Sequence, residues 1–137
     1  MYENVLALSN YVTVTQNNSK HFSPEDIVHI CKRKNNAKRD FLFVNAFQGK
    51  HLCVSPNTAF TLYEELTDVI RSAIPSTEKV VVIGFAETAT AIGHYIAYSL
   101  ENCIYYMQTT REQIEGVSPV LEFSEEHSHA TEQLLYG

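Results

Sequence analysis

A turn of small and hydroxyl-bearing residues stands between an apolar run and a helical pattern, and its residue types suit the binding of an anion. Its members are Gly84, Phe85, Ala86, Glu87, Thr88, Ala89 and Thr90. Glycine lets the backbone turn, the alanines leave room for a ligand to approach, and the threonines supply hydroxyls. The helix that follows offers unpaired N–H groups and the positive end of its dipole. The turn therefore has the chemistry of a phosphate or pyrophosphate cradle.

Glu87 is the residue of this turn that does not suit an anion. A carboxylate is favourable at a helix N-terminus but repels a phosphate, unless a cation bridges the two or the side chain points away. Neither GxxxxGK[ST] nor GxGxxG is present, since Gly84 and Gly93 are the only glycines nearby. A well-capped turn that binds nothing is the plain alternative.

The elements around the turn predict a strand–helix–strand unit. "KVVVIG" has no polar alternation and is typical of a strand buried on both faces of a parallel sheet. "CIYYMQT" (103–109) reads as the next strand, at a distance that suits a crossover helix. The helix between them directs one apolar face inward: Ala89, Ile92, Gly93, Ile96, Ala97 and Leu100. Ligands of open α/β sheets bind beyond the carboxyl ends of the strands, which is where the turn falls.

The remaining pattern predicts further elements on both sides of this unit. Ser23 and Pro24 open a helix that runs through "FSPEDIVHICKRK". Strands are expected at 10–15, 41–47 and 51–54, the last two as a hairpin. A long helix is expected over 55–74, with one inward face: Ala59, Leu62, Tyr63, Leu66, Val69, Ile70 and Ala73. The end of the chain, 121–137, reads as a loop or a strand plus loop. The fold class predicted is α/β, a mostly parallel sheet with flanking helices, in a single domain over 1–137.

Composition places this chain among soluble globular proteins, because 45% of its residues are hydrophobic and 19% charged. No apolar run is long enough for a membrane span, and the N-terminus does not resemble a secretory signal. Three widely spaced cysteines indicate inert thiols in a reducing cytoplasm. Six of the ten basic residues fall within 32–50 of a chain whose net charge is −6. This asymmetry favours an anionic small molecule over a long nucleic acid as partner, with a solvated charged face as the plain alternative, and no membrane partner is expected.

Three stretches, "RKNNAKRDFLFVNAFQGKH" (33–51), "GFAETATAIGH" (84–94) and "FSEEHSHATEQLLY" (123–136), carry a resemblance. Together they resemble a family of phosphoribosyltransferase-like proteins encoded in bacterial tellurite-resistance-type biosynthetic gene clusters. The resemblance implies a type I phosphoribosyltransferase-like fold that uses Mg²⁺ and phosphoribosyl pyrophosphate (PRPP) to make nucleotides or nucleoside-like metabolites. A small phosphorylated molecule is then the expected substrate.

The resemblance also implies roles for individual residues. Pyrophosphate binding falls on the turn and on the end of the next strand: Gly84, Phe85, Ala86, Glu87, Thr88, Ala89, Thr90, Thr110 and Arg111. Arg111 is the only cation in the second half of the chain after Lys79, and a guanidinium suits bidentate phosphate contact. A flexible hood is expected at 123–135, with Glu126, His127 and His129 as candidate catalytic residues. A basic element on the substrate side comprises Lys38, Arg39, Lys50 and His51.

One element of type I phosphoribosyltransferases is absent from this sequence. Their ribose-phosphate loop is a strand followed by two adjacent acids and a Thr/Gly-rich turn. Glu64-Glu65 lie within a predicted helix, and Glu125-Glu126 are followed by "HSHAT" without a glycine. The chain is therefore expected to be the N-terminal portion of such a domain, truncated at the C-terminus and inactive alone.

Three other interpretations remain open. A metal hydrolase would use Glu125, Glu126, His127 and His129, with His94 or His51 as a further ligand. A nucleic-acid module would rest on the basic stretch 32–39 and on Phe41 and Phe43, although no RNA-binding signature accompanies them. A non-catalytic interaction subunit is the third, and the tyrosines and phenylalanines add apolar surface that could support a homodimer.

Overall fold

The structure of the protein is a computed structural model that describes residues 5–6, 12–14, 16–32, 41–49, 52–124 and 132–137. The chain forms two compact units, Met1–Glu65 and Leu66–Gly137, which we call the amino-terminal and the carboxyl-terminal unit. The boundary falls within a single long helix. Each unit is described by itself.

The amino-terminal unit is built on a small antiparallel sheet. Its strands are β1 (Val5–Leu6), β2 (Val28–Lys32) and β3 (Phe41–Asn45), in the order β1-β2-β3. A short helix, α1 (Pro24–Ile27), leads directly into β2. Ile30 and Cys31 of β2 are 0% and 4% exposed and form part of the core.

The predicted helix after Ser23 begins as expected but is far shorter than predicted. Ser23 and Asp26 form a capping box, in which each side chain accepts from the other residue's backbone N–H. The helix ends at Ile27, and the following residues are a strand. Val28 and Ile30 are β-branched and favour extended backbone, and pairing with β3 satisfies their backbone groups. The capping signal gave the start of the helix but held no information about its length.

Two of the predicted strands are wrong where the structure describes them. Residues 12–14 and 52–54 have no strand structure. The predicted strand over 41–47 is present as β3, but its antiparallel partner is β2 rather than 51–54. A partner distant in sequence leaves no local signal of the kind that marks a hairpin.

The long helix, α2 (Pro56–Ala73), lies where it was predicted, but its buried face is rotated from the predicted one. Tyr63 is 4% and Thr67 0% exposed, whereas Leu66 and Val69 are 39% and 57% exposed. A buried threonine one helical turn after a buried tyrosine moves the inward stripe away from the most apolar side chains. Hydrophobicity alone therefore misplaced this face.

The Glu65 carboxylate, in α2, contacts the chain segment that precedes α1. It accepts hydrogen bonds from the Ser19 hydroxyl and from the Lys20 N–H (2.8 Å), and it lies 2.7 Å from His21 Nδ1. The Glu65 side chain is 18% exposed. This carboxylate holds the 19–21 segment, which agrees with the sequence argument that Glu64-Glu65 do not form a ribose-phosphate loop.

The carboxyl-terminal unit contains the predicted strand–helix–strand sequence. The elements are β4 (Val80–Gly84), α3 (Thr90–Ser99) and β5 (Cys103–Gln108). β4 and β5 are parallel neighbours, and Gly84 is opposite Gln108 at the carboxyl end of the pair. On α3, Gly93 and Ile96 are buried, as the inward face predicted.

A hairpin follows in the region predicted to be a loop or a strand plus loop. Its strands are β6 (Leu121–Ser124) and β7 (Glu132–Leu135), paired antiparallel. Gln133, Leu134 and Leu135 of β7 are all buried. Residues 125–131 connect the two strands in sequence and lie outside the described residues.

The α/β class holds in its coarse form, but the sheets are mixed rather than mostly parallel. Among the described residues, β4–β5 is the parallel pairing, and the other two sheets are antiparallel. Val81 and Ile83 of β4 are 46% and 43% exposed, so the expectation that this strand is buried on both faces was wrong. An unbroken apolar strand sequence does not distinguish two covered faces from one.

In the described part of the chain, no helix has both the length and the apolar character that crossing a membrane requires.

Candidate functional site

The turn at 84–90 lies at the carboxyl ends of β4 and β5. Gly84 ends β4, and Thr90 is the first residue of α3. The segment that leaves β5 runs beside the turn, because the Thr109 N–H donates to the Gly84 carbonyl at 3.0 Å. The fold therefore brings the turn and the Thr109–Arg111 segment together, as the sequence predicted for parallel neighbours.

Gly84 and Gly93 are required by close packing around Tyr106. A Cβ on Gly84 would lie 2.8 Å from Tyr106 Oη and 3.1 Å from the Ala89 carbonyl oxygen. A Cβ on Gly93 would lie 3.2 Å from Tyr106 Cε2 and 3.3 Å from the Gly84 Cα. The strand and the helix approach each other closely against the tyrosine ring. Glycine at position 84 thus serves this contact as well as the turn.

Thr90 stabilises the turn from inside it. Its hydroxyl donates to the Glu87 carbonyl at 2.7 Å and accepts a hydrogen bond from Gln108 Nε2. The Tyr106 hydroxyl lies 3.2 Å from both the Thr90 carbonyl oxygen and Gln108 Oε1, and burial raises the pKa of this phenol. Because a hydroxyl has a single proton, Thr90 as placed directs it to the backbone rather than to a ligand.

The backbone of Ala86 is held at both of its polar groups. Its N–H donates to Thr109 Oγ1 at 2.8 Å, and its carbonyl oxygen accepts from Arg111 Nη2 at 3.3 Å and from Gln133 Nε2 at 3.4 Å. The Thr109 hydroxyl in turn donates to Gln133 Oε1 at 2.6 Å. We call Thr109, Arg111 and Gln133 the Ala86 clamp. The Ala86–Glu87 peptide bond is cis.

Arg111 and Glu87 form the charged part of the site. Arg111 Nη1 lies 4.0 Å from Glu87 Oε1, and the two side chains are 26% and 72% exposed. The guanidinium thus lies against the turn, while the carboxylate extends toward solvent. The Glu87 carboxylate is therefore exposed and within ion-pair distance of Arg111, so a cation would have to bridge it to an anionic ligand bound there.

The N-terminus of α3 lacks a side-chain cap. The N-cap residue is Ala89, no side chain accepts a hydrogen bond at the cap, and the first helical turn contains no acidic residue. Asp or Glu side chains usually occupy this end of a helix and offset its positive dipole. The positive end of this helix is therefore not offset from within its first turn, and the charged groups beside it are Arg111 and Glu87.

The predicted site residues differ in where they lie. Thr110 is part of a backbone ladder, with two 2.8 Å hydrogen bonds to Leu134, and its hydroxyl accepts from the Glu112 N–H. The catalytic candidates and the basic element lie outside the described residues: Glu126, His127, His129, Lys38, Arg39, Lys50 and His51.

Two residues of the clamp, Thr109 and Gln133, did not figure among the predicted site residues. Thr109 was passed over in favour of Thr110, although it is the buried neighbour, 2% exposed, that contacts the turn. Gln133 lies in a segment that looked too polar for a core, yet it is 1% exposed. A buried glutamine has no signature in a single sequence, so only the fold reveals it.

A cavity of about 530 Å³ lies at the other end of the same strands, between the end of α2 and the start of β4 and β5. Its polar side chains bind backbone carbonyls: Arg71 Nη2 donates to Ser99, and Asn102 Nδ2 donates to Glu78 and Pro75. These contacts join loops to helix ends. The cavity is therefore a crevice between elements, remote from the turn.

Within the described ranges, no cluster of three or more His, Cys, Asp or Glu side chains is arranged to hold a metal ion. His94, a ligand in the metal-hydrolase interpretation, instead packs edge-on against Tyr106 at a ring-centroid distance of 5.3 Å. The other ligands of that interpretation, 125–129 and His51, lie outside the described residues.

Comparison with known proteins identifies the family. A family model described as phosphoribosyl transferase matches residues 27–137, which is most of the chain and includes the turn, the clamp and the hairpin. Neither a curated protein nor a solved structure gives a significant match. The match extends over the whole carboxyl-terminal unit in which the candidate site lies. The chain therefore belongs to the phosphoribosyl transferase family.

Proposed function

We propose that the turn at 84–90 binds the pyrophosphate group of PRPP, in a phosphoribosyl transfer that makes a nucleotide or nucleoside-like metabolite. The observation that carries this proposal is the position of Arg111, whose guanidinium lies against the turn beside the uncapped start of α3. A helix N-terminus with an arginine beside it combines N–H donors with a fixed positive charge, which is the combination that phosphate oxygens favour.

Phosphoribosyl transfer depends more on stabilising the charges that develop in the transition state than on covalent catalysis by the protein. The bond between ribose C1 and the pyrophosphate oxygen breaks while a bond from C1 to the acceptor forms. Positive charge develops on the ribose and negative charge on the departing pyrophosphate. Arg111 and the backbone N–H groups at the start of α3 would stabilise the latter, because donors that are fixed before the reaction need no reorganisation during it.

Magnesium enters this proposal with the substrate. Mg²⁺ is commonly held by one or two carboxylates together with substrate phosphates, so it needs no dedicated cluster of protein ligands. Glu87 is the carboxylate of the turn, exposed and directed toward solvent, and it would be the protein ligand. When bound, Mg²⁺ neutralises part of the charge on the pyrophosphate.

The residues outside the described ranges keep their proposed roles. Segment 125–131, with Glu126, His127 and His129, would cover the site and exclude water from the reacting centre. The basic element, Lys38, Arg39, Lys50 and His51, would lie on the substrate side. We further propose that the chain acts in the cytoplasm, as part of a tellurite-resistance-type biosynthetic gene cluster. The genes flanking its coding sequence test the second point.

Calorimetric titration with Mg²⁺–pyrophosphate and Mg²⁺–PRPP tests the proposed site. We expect similar affinities for the two ligands and a loss of at least about tenfold in Arg111→Ala, the size of a lost charge-assisted contact. Arg71→Ala is the matched control, since Arg71 binds Asp68 and the Ser99 carbonyl at the far end of the strands. Absence of binding by the wild-type chain, or equal losses in the two variants, would contradict the proposal.

A further inference from the structure

We propose that Thr109 and Gln133 are positioning residues: they hold the Ala86 backbone in place when Arg111 leaves the Ala86 carbonyl to bind an anionic ligand. This inference rests on the proposed function and assigns to two buried residues a part in ligand binding. Neither residue needs to contact the ligand.

Ala86, Thr109 and Gln133 form a closed ring of hydrogen bonds. The Ala86 N–H donates to Thr109 Oγ1, the Thr109 hydroxyl donates to Gln133 Oε1, and Gln133 Nε2 donates back to the Ala86 carbonyl. The donor and acceptor roles are mutually consistent, because a hydroxyl can accept and donate at once and an amide presents one group of each kind. Both polar groups of the Ala86 backbone are therefore held without Arg111.

Burial makes this ring matter energetically. Gln133 is 1% and Thr109 2% exposed, so solvent cannot replace a hydrogen bond that either one loses. A buried polar group without a partner is destabilising. The ring is thus expected to keep one geometry, and with it the position of the turn at the start of α3.

Arg111 is not part of this ring. Its guanidinium donates to the Ala86 carbonyl at 3.3 Å, about as far as Gln133 Nε2 does at 3.4 Å. An anionic phosphate binds a guanidinium more strongly than a neutral carbonyl does, because charge-assisted hydrogen bonds are roughly twice as strong as neutral ones. When Arg111 turns to the ligand, the Ala86 carbonyl keeps the Gln133 amide as its donor, so the exchange leaves no buried carbonyl without a partner.

Strand register explains how these side chains meet at the turn. The isolated Thr110–Leu134 bridge brings Arg111, the residue after Thr110, close to Gln133, the residue before Leu134, and β6 pairs Phe123 with Gln133. Opposite residues in a sheet point to the same face. All three reach the turn: Arg111 and Gln133 contact Ala86, and the Phe123 ring lies 5.4 Å from that of Phe85. The hairpin whose connection is 125–131 is therefore bonded to the ligand-binding turn.

Titration of three single variants with Mg²⁺–pyrophosphate tests the inference. Thr109→Val keeps the shape of the side chain and removes the hydroxyl, Thr109→Ser keeps the hydroxyl, and Gln133→Met removes the amide. We expect an affinity loss of about tenfold for Thr109→Val and Gln133→Met, the loss of one buried hydrogen bond. Thr109→Ser should stay within about twofold of the wild type. Unfolding midpoints measured without ligand identify any variant that fails to fold. If either Thr109→Val or Gln133→Met does not fold, the affinity of the other one tests the inference.

A second readout separates positioning from a purely structural role. In an Arg111→Lys background, the effect of Gln133→Met on affinity should shrink to about twofold or less, because lysine has no guanidinium to release from the Ala86 carbonyl. An unchanged effect in that background, or wild-type affinity in both Thr109→Val and Gln133→Met, would overturn this inference and leave the proposed pyrophosphate site standing. If the wild-type chain binds no Mg²⁺–pyrophosphate at all, the proposed function fails and the inference fails with it.

Discussion

The contact between Gly84, Gly93 and Tyr106 shows how single residues set the geometry of the turn. Strand β4 and helix α3 approach until the Cα of one glycine would touch a Cβ on the other. The tyrosine ring fills the remaining space, and its hydroxyl reaches the Thr90 carbonyl at the first residue of the helix. Side-chain volume at positions 84 and 93 therefore decides where the helix begins relative to the strand.

Gly84→Ala should lower the free energy of unfolding by about 1–3 kcal/mol, the usual effect of overpacking a tight contact. The new methyl would meet the Tyr106 hydroxyl at 2.8 Å. Tyr106→Phe removes that hydroxyl, so the double variant should lose less stability than the sum of the two single variants. Chemical denaturation measures all three. If the stability losses of the two single variants simply add in the double variant, the new methyl does not contact the Tyr106 hydroxyl.

At the level of single residues, the sequence predicted which segments meet but not how their side chains are bonded. The turn and Arg111 do come together, which the order of strand, turn, helix and strand was sufficient to predict. Thr90 was expected to offer its hydroxyl to a ligand, yet that hydroxyl donates to the Glu87 carbonyl. Residue type shows what a side chain can donate, whereas only its neighbours determine where the proton goes.

At the level of elements, a local sequence pattern predicts a helix or strand but not a pairing partner that is distant in sequence. Helix α2 and the β4–α3–β5 unit were predictable because their patterns are long and their partners are near in sequence. The β2–β3 pairing was not, since the start signal at Ser23 favours a helix and nothing local shows that 28–32 pairs with 41–45. The β6–β7 hairpin was missed because its strands are short and one of their buried side chains is polar.

The hydrogen bonds of Glu65 in α2 predict how the stability of the chain depends on pH. Burial raises the pKa of its carboxyl, but hydrogen bonds from Ser19, His21 and the Lys20 N–H outweigh burial and hold the pKa below its ordinary 4.5. The folded state therefore favours the carboxylate, so the stabilisation is present above pH 4.5 and is lost as the pH falls through the lower folded pKa.

Glu65→Gln should accordingly destabilise the chain at pH 7 by about 1.5–3 kcal/mol, the range for hydrogen bonds to a charged group. The difference from the wild type should shrink as the pH falls below 4.5 and then through the lower folded pKa, where the carboxyl of the folded wild type becomes protonated. Urea denaturation at several pH values measures both. Glu115→Gln, at an exposed position, is the control. A difference that grows in acid would contradict the assigned direction of the shift.

For the whole molecule, the family match and the division into units define what the chain is expected to do. The match begins at Ile27 and extends through the carboxyl-terminal unit, whereas the sequence holds no pair of adjacent acids followed by a Thr/Gly-rich turn. The proposed binding of pyrophosphate uses the turn and Arg111, whereas transfer also needs the ribose and its 5′-phosphate to be held in line with the acceptor.

Transfer of the ribose by the 137-residue chain is measured separately from its binding of Mg²⁺–PRPP. The measurement is release of pyrophosphate from PRPP in the presence of a panel of nucleobases, with Arg111→Ala alongside. Turnover that depends on Arg111 would show that a different part of this chain holds the ribose phosphate.

The hydrogen-bond ring around Ala86 contains no group that titrates near neutral pH. Its members are a peptide group, a hydroxyl and a carboxamide, and none of them gains or loses a proton over the range in which proteins fold. Its donors also run in a single direction, because the Ala86 N–H can only donate and the Ala86 carbonyl can only accept. The backbone position of Ala86 that this ring holds is thus expected to be the same in acid and in base.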